Sequence, residues 1–208
     1  SKNDGERIEP GEAIATIKGN AQALLTAERV ALNVVQQMCG IAGMTAVYVR
    51  AIDGTGATLI DTRKTTPGLR MIEKYAFVCG GGRSHRLGLD NGIMLKDNHI
   101  AVAGNITNAV KHAKACAPVL TKIEVECDRI EQVEEALASG ADVIMLDNMT
   151  NDEMRDSVKL VNRRIPLECS GGVKLDTIRG KAETGVDFIS VGRITQSATC
   201  VDIGLDEA

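Results

Sequence analysis

The residues that could do chemistry fall into five short clusters. Asp61 to Arg70 reads DTRKTTPGLR and gathers Arg63, Lys64 and Arg70 beside Thr62 and a Pro–Gly turn. Guanidinium forks suit carboxylates and phosphates, and lysine adds a mobile point charge. Cys79 to Leu89 reads CGGGRSHRLGL, with Arg83, His85 and Arg86 following glycines that permit close backbone approach to a ligand. The spacing is neither that of a P-loop nor that of a dinucleotide fingerprint. In MLKDNHI, Lys96 ends an apolar run and is expected to meet an anion, while Asp97 or Asn98 caps the helix that follows.

The acidic set is Glu124, Glu126, Asp147 and Glu168. Strand alternation puts Glu124 and Glu126 on one face, and buried carboxylates are costly unless paired or bound to a cation. In ECSGGV and SVGRI, Ser170, Gly171, Gly172 and Gly192 form glycine turns of the kind that hold phosphate on backbone N–H groups. Cations for phosphates beside carboxylates for ribose hydroxyls, magnesium or a developing positive charge suit an anionic sugar phosphate.

These residues need a scaffold that brings strand ends together. Short apolar runs at 58–61, 92–96, 122–127, 142–147, 166–170 and 188–192 alternate with helical patterns such as 129–139, 151–163 and 175–184. That rhythm predicts parallel strands joined by crossover helices. Polar residues follow every run, which favours a βα barrel, with its site at the carboxyl ends of all the strands, over an open sheet with one switch point. About six units predict an incomplete α/β barrel. Ahead of it, residues 13–18 are expected to form a short strand, and a helix runs from Thr26, its N-cap, to about residue 42.

The chain has 208 residues and net charge −4, which excludes a general pull toward nucleic acid or anionic lipid. Its aromatics are only Tyr48, Tyr75, Phe77 and Phe188, too few for a base-stacking platform. No uninterrupted apolar run reaches the roughly 20 residues of a membrane span. Six cysteines without a CxxC pair read as free, buried thiols in a reducing cytoplasm.

Together the motifs resemble the quinolinate phosphoribosyltransferase family, from about Thr26 to the C-terminus. The stretches that carry the likeness are ERVALNVVQQMCGIA, DTRKTTPGLR, GGGRSHRLGL, LKDNHI, KIEVE, MLDN, ECSGG and ETGVDFISVGRIT. The resemblance implies an incomplete βα barrel over 26–208, with 1–25 as the end of an N-terminal α/β sandwich domain and its linker. It implies transfer of phosphoribosyl from phosphoribosyl pyrophosphate to quinolinate with loss of pyrophosphate and carbon dioxide, giving nicotinate mononucleotide for NAD synthesis. A relative acting on nicotinate or another ring acid, or a non-catalytic homologue, is the alternative.

By the same resemblance Arg63, His85, Arg86 and Lys96, with Thr62, surround quinolinate. Arg29 reaches a neighbouring subunit's site in a homodimer or hexamer. Lys64, Glu126 and Asp147 are catalytic; Lys64 contacts the pyrophosphate or the ring end, and the two acids hold the ribose and shield its oxocarbenium-like centre. Ser170, Gly171, Gly172 and Gly192 take the 5′-phosphate, with Arg193 as a further contact. Mg2+ arrives with the pyrophosphate substrate, without a dedicated protein cage.

Overall fold

The computed structural model describes residues 1–206. In chain order the elements are α1 (Ala21–Ala51), β1 (Thr58–Ile60), α2 (Arg70–Cys79), β2 (Ile93–Leu95), α3 (Asp97–Ala103), α4 (Ile106–Cys116) and β3 (Ile123–Cys127). There follow α5 (Ile130–Ala138), β4 (Val143–Asp147), α6 (Asn151–Val161), β5 (Leu167–Ser170), α7 (Ile178–Ala182), β6 (Phe188–Ser190) and α8 (Gly192–Ser197). All six expected strands are present and parallel, in the order β1-β6-β5-β4-β3-β2.

Helices cover the outside of the sheet. Its outward aliphatic residues, such as Val125, Ile144, Leu146 and Ile189, are fully buried with Val133, Met154 and Ile178 of the helices. The inward face carries Glu124, Met145 and Glu168 instead, so one layer is greasy and the other is polar. The sheet curls enough that Thr62, past one edge strand, and Lys96, past the other, line one cavity. β1 and β2 do not pair directly, and the glycine-rich segment fills the seam. Arg83 N–H donates to Leu59 O at 2.9 Å, and Asp61 N–H donates to Arg83 O at 3.3 Å. On the far side Arg86 Nη1 donates to Gly92 O at 2.9 Å, beside β2.

A buried clamp fixes this seam. Asp61 is 1% exposed; its carboxylate pairs with Lys74 of α2 and accepts His85 N–H at 2.9 Å and Ser84 Oγ at 3.0 Å. The neighbouring loop has its own anchor in Glu73, fully buried, which accepts Thr66 N–H at 3.0 Å and Gln37 Nε2 at 2.8 Å.

Several local expectations are corrected. Residues 13–18 form no strand; they are largely exposed, and no other strand lies against them among the described residues. A strand edge without a partner leaves its backbone groups unpaired, so a strand there has nothing to stabilise it. α1 starts at Ala21, not after Thr26: Asn20 caps it by accepting Ala23 N–H at 3.2 Å, and Thr26 bonds back to Gln22 O at 2.7 Å inside the helix. The Ala, Gln and Leu residues before Thr26 are good helix formers and carry the helix to the first strong cap. Lys96, rather than Asp97 or Asn98, occupies the cap position of α3, with its N–H held by His99 Nδ1 at 2.9 Å.

α1 also exceeds the expected length of apolar segments. Over 31 residues, with a window of mean hydropathy 1.4, it is long and apolar enough to cross a membrane by length and composition. Here it lies along α2 and α8, burying Gly40, Ile41, Thr45 and Tyr48, and Gln36 bonds to Ile203 O at 2.8 Å. All six cysteines are free as expected, but only Cys127 and Cys169 are buried. Burial pushes their thiols up to about 12 and about 11, which keeps both unreactive.

Removing one partner of a buried ion pair costs about 3–5 kcal/mol. Lys74→Met is therefore expected to lower unfolding free energy in urea by about that amount. Stability within 1 kcal/mol or so of wild type would show the clamp to be dispensable.

Candidate active site

The inward strand ends enclose a cavity of about 870 Å³. Its walls include Thr62, Arg63, Lys64, His85, Arg86, Lys96, Glu126, Asp147, Ser170, Gly171, Gly172, Gly192 and Arg193. These are all the site residues that the family resemblance implies except Arg29, which is exposed on α1 and lies outside the cavity. A larger, mostly apolar hollow of about 990 Å³ runs outside the barrel along α3, α4 and β2. It gathers few charged groups, which makes the smaller one the candidate active site.

Not every basic residue of the sequence clusters points inward. Arg70 is held by the loop itself, Nε on Thr65 Oγ1 at 3.0 Å and Nη2 on Arg63 O at 3.3 Å. Arg83 sits over the Phe188 ring, 6.0 Å from its centroid. Sequence reading left out Lys174, Asn148 and Gln196, which also line the cavity. Lys174 follows a hydrophobic residue in an otherwise ordinary loop and carries no motif that would single it out. Even so, six Lys or Arg side chains (63, 64, 86, 96, 174, 193) face four Asp or Glu (61, 126, 147, 168). One of those acids, Asp61, is already neutralised by Lys74. A chain that is acidic overall thus carries a locally positive cavity, suited to multiply charged anions.

Two glycine turns form one wall. Gly171 has φ +89, and a Cβ there would lie 2.2 Å from Asn148 Oδ1. Asn148 itself is left-handed, φ 56, and its side chain donates to Asp147 Oδ2 at 2.6 Å. Gly192 lets Lys64 pass: a Cβ there would come within 2.7 Å of Lys64 Cδ. Thr195 Oγ1 holds Lys64 O at 2.7 Å from the same side. The N–H groups of Gly171, Gly172 and Gly192 donate to no protein acceptor among the described residues, which leaves them available to oxyanions.

The carboxylates are held differently from one another. Glu126 pairs with Lys96 across the β2–β3 step. Asp147 is half-buried at the end of β4 and has no ion-pair partner among the described residues. Glu124 and Glu168, 4% and 1% exposed, sit deepest. His85 Nε2 lies 3.0 Å from Glu124 Oε2 and 3.5 Å from Glu168 Oε2. Burial, then the adjacent Glu124, pushes the Glu168 carboxyl well above the usual carboxylate range, with Ser190 and Lys96 opposing. Arg86 is held down from its ordinary value by burial and then by Arg63, while Glu124 and Glu168 counter this; a guanidinium stays charged regardless.

Among the described residues one group of metal-ligating types is gathered here, His85, Glu124 and Glu168, with ligand atoms within 4.8 Å of one another. The buried acids are engaged by Lys74, His85 and Lys96, which leaves Asp147 alone at the mouth. An imidazole nitrogen beside two carboxylates is a poor donor set for magnesium, which takes oxygen ligands.

Because folded Glu168 holds its proton more tightly than the unfolded chain does, wild type loses stability as pH rises above the usual 4.5 until the raised value is passed. Glu168→Gln removes that loss. The unfolding free energy of the variant should gain on wild type by up to about 1.4 kcal/mol per pH unit through that window. Parallel curves for the two proteins from acid to neutral pH would contradict the assignment.

Comparisons with known proteins agree with this geometry. Residues 41–206 match the family model for the C-terminal domain of quinolinate phosphoribosyl transferase, and residues 1–39 match that for its N-terminal domain. The two matches meet inside the continuous helix α1. The chain is 49% identical to the probable nicotinate-nucleotide pyrophosphorylase [carboxylating] of Bacillus subtilis, over 99% of this chain and 71% of that protein. It is 38% identical to the Homo sapiens nicotinate-nucleotide pyrophosphorylase [carboxylating], over 97% and 70%. The crystal structure of NadC from Streptococcus pyogenes superposes with a TM-score of 0.92 at 44% identity, over 96% of this chain and 70% of that one. By whole-chain sequence, by fold and by the cavity at its strand ends, the chain belongs to the quinolinate phosphoribosyl transferase family.

Proposed function

We propose that this cavity transfers phosphoribosyl from phosphoribosyl pyrophosphate to quinolinate with decarboxylation, giving nicotinate mononucleotide, pyrophosphate and carbon dioxide. The observation that carries this reading is that cations for two anions and carboxylates for one cationic transition state share a single cavity. Membership of a family whose relatives are carboxylating nicotinate-nucleotide pyrophosphorylases supports it.

Arg63, Arg86, Lys96 and His85 receive the two carboxylates of the pyridine, with Thr62 at their edge. Ser170, Gly171, Gly172 and Gly192 take the 5′-phosphate on backbone N–H groups, and Arg193 adds a charge at the mouth. Lys64 meets the pyrophosphate, which brings Mg2+ on its own oxygens. Asp147 and Glu126 hold the ribose hydroxyls. As the C1′–O bond to pyrophosphate lengthens, their negative charge opposes the positive charge that grows on the ring. The pyridine nitrogen then bonds to C1′, and the resulting cationic ring accepts the electron pair left when carbon dioxide departs from the adjacent carbon. Lys96 is shared at rest with Glu126, so quinolinate draws it off as Glu126 turns to the ribose.

Two dispositions on α1 support assembly as a homo-oligomer. Arg29 is exposed away from its own cavity, and Leu25 and Val30 are 70% and 69% exposed on the same helix. A second copy would cover that face and receive Arg29 at its cavity mouth.

Truncating one partner of a desolvated charge contact costs about 2 kcal/mol or more. In calorimetric titrations Arg86→Ala should weaken quinolinate by about 30-fold or more while phosphoribosyl pyrophosphate affinity changes by only a few-fold. Equal losses for both ligands, or tighter turnover of nicotinate than of quinolinate, would overturn the quinolinate assignment. For assembly, mixing inactive Arg29→Ala and inactive Lys64→Ala chains should restore part of the activity, because some sites then carry both native residues. A mixture as inactive as its parts would contradict the shared site.

A further inference from the structure

The proposed reaction leaves a hydrogen unaccounted for. When the C2–carboxylate bond breaks, carbon dioxide leaves without the electron pair, and that pair on C2 must take a proton. None of the arginines and lysines that bind the anions is suited to give one, since arginine does not release its proton and Lys64 and Lys96 hold negative charge as ammonium groups. The cavity floor contains a cluster that the binding and ribose roles leave unexplained. Glu124 Oε1 and Glu168 Oε2 are buried without a hydrogen-bond partner, and both carboxylates lie against His85 Nε2 at 3.0 and 3.5 Å. Two carboxylates this close in a low-dielectric floor cannot both stay ionised cheaply; a shared proton fills the missing hydrogen bond.

From this geometry we infer that Glu124 and Glu168, with His85, form the proton store of the site: the cluster takes up a proton when quinolinate binds and delivers it to C2 after carbon dioxide leaves. The inference rests on the quinolinate reading above and deepens it. Glu168 and His85 both line the cavity, while Glu124 lies behind them, so it acts through its neighbours as a positioning residue.

The groups facing the cluster from each element set its charge. Arg86 approaches from the seam segment and Lys96 from the end of β2. Ser190 lies beside Glu168 from β6, and the His85 backbone is fixed by the Asp61–Lys74 pair from the end of β1 and from α2. Glu126 on β3 is taken by Lys96, and Asp147 on β4 stands at the mouth. With Arg86 and Lys96 already present, the oxygens lack a hydrogen rather than more positive charge. A dianion placed among them raises the cluster's demand for a proton, which predicts uptake on binding.

In the chemical step His85 N–H or the Glu168 carboxyl gives its proton to the C2 pair and a C–H bond forms. The cluster has then given up the proton it took in with quinolinate and is back in its resting state when product leaves. Atoms and charge balance: one proton enters with quinolinate and leaves as the C2 hydrogen of nicotinate mononucleotide.

Calorimetric titration of the chain with quinolinate in PIPES and in Tris near neutral pH tests this. The two buffers differ in ionisation enthalpy, so proton uptake appears as a difference in observed heat. Wild type should take up a substantial fraction of one proton. Glu168→Gln, whose amide resembles the protonated carboxyl, should still bind quinolinate but with uptake largely lost and with affinity nearly flat across neutral pH. With phosphoribosyl pyrophosphate added, its formation of nicotinate mononucleotide should fall by about 100-fold, the usual scale for a lost proton donor. Glu124→Gln should lower uptake in the same direction, which guards against a folding defect in one variant. Binding with identical heats in both buffers, or undiminished uptake or turnover in Glu168→Gln, would overturn the proton store while leaving the quinolinate reading intact. Failure of wild type to bind quinolinate at all would overturn both.

Discussion

Charge taken out of water must be matched, and this constraint organises the whole interior of the barrel. Asp61 is matched by Lys74, Glu126 by Lys96, and the Glu124–Glu168 pair by His85 and a proton. An apolar core would have been cheaper on the inward face, as it is on the outward one. The polar layer is maintained because each pair also positions something. The Asp61 clamp fixes the His85 backbone, and that segment seals a sheet whose edge strands never meet. Without the clamp the seam would open, and the cations of the glycine-rich segment would lose their direction. The cavity's excess positive charge is thus a product of pairing: the acids are engaged one by one, and most of the cations that remain are free to bind anions.

Much of this was legible in the sequence because parallel strands write themselves plainly. Each run of aliphatic residues was followed by its polar residues, and all six strands fall within the expected bounds. The outward-facing positions are aliphatic because they touch helices, and the strand ends are polar because they touch the cavity. The features that escaped depend on pairings distant in sequence. Nothing local marks Lys74 as the partner of Asp61, or says that Arg70 would turn to its own loop instead of the cavity. Glu124 and Glu168 were visible as costly carboxylates, yet their contact with each other's surroundings through His85 required the fold. Residues 13–18 form no strand for a related reason: a short stretch of strand-forming residues becomes a strand only where another strand lies beside it.

α1 joins the two levels of organisation. It is continuous across the meeting point of the two family-domain matches, and it packs one face on α2 and α8 while leaving apolar residues and Arg29 outward. The same helix that completes the barrel's packing also carries Arg29, exposed and outside the cavity, which we propose serves the cavity of a second copy. A fold whose cavity opens at its strand ends gains from a second copy that narrows the mouth, since excluding water strengthens each charge contact inside.

The central claim is that a single cavity holds an acidic pyridine and an activated sugar together while the carboxylate beside the ring nitrogen departs. Quinolinate labelled in that carboxyl group gives the most direct measurement. Labelled carbon dioxide should be released only when phosphoribosyl pyrophosphate is present, in step with pyrophosphate formed. Release without the sugar donor, or pyrophosphate formed with the label retained in the pyridine product, would contradict it.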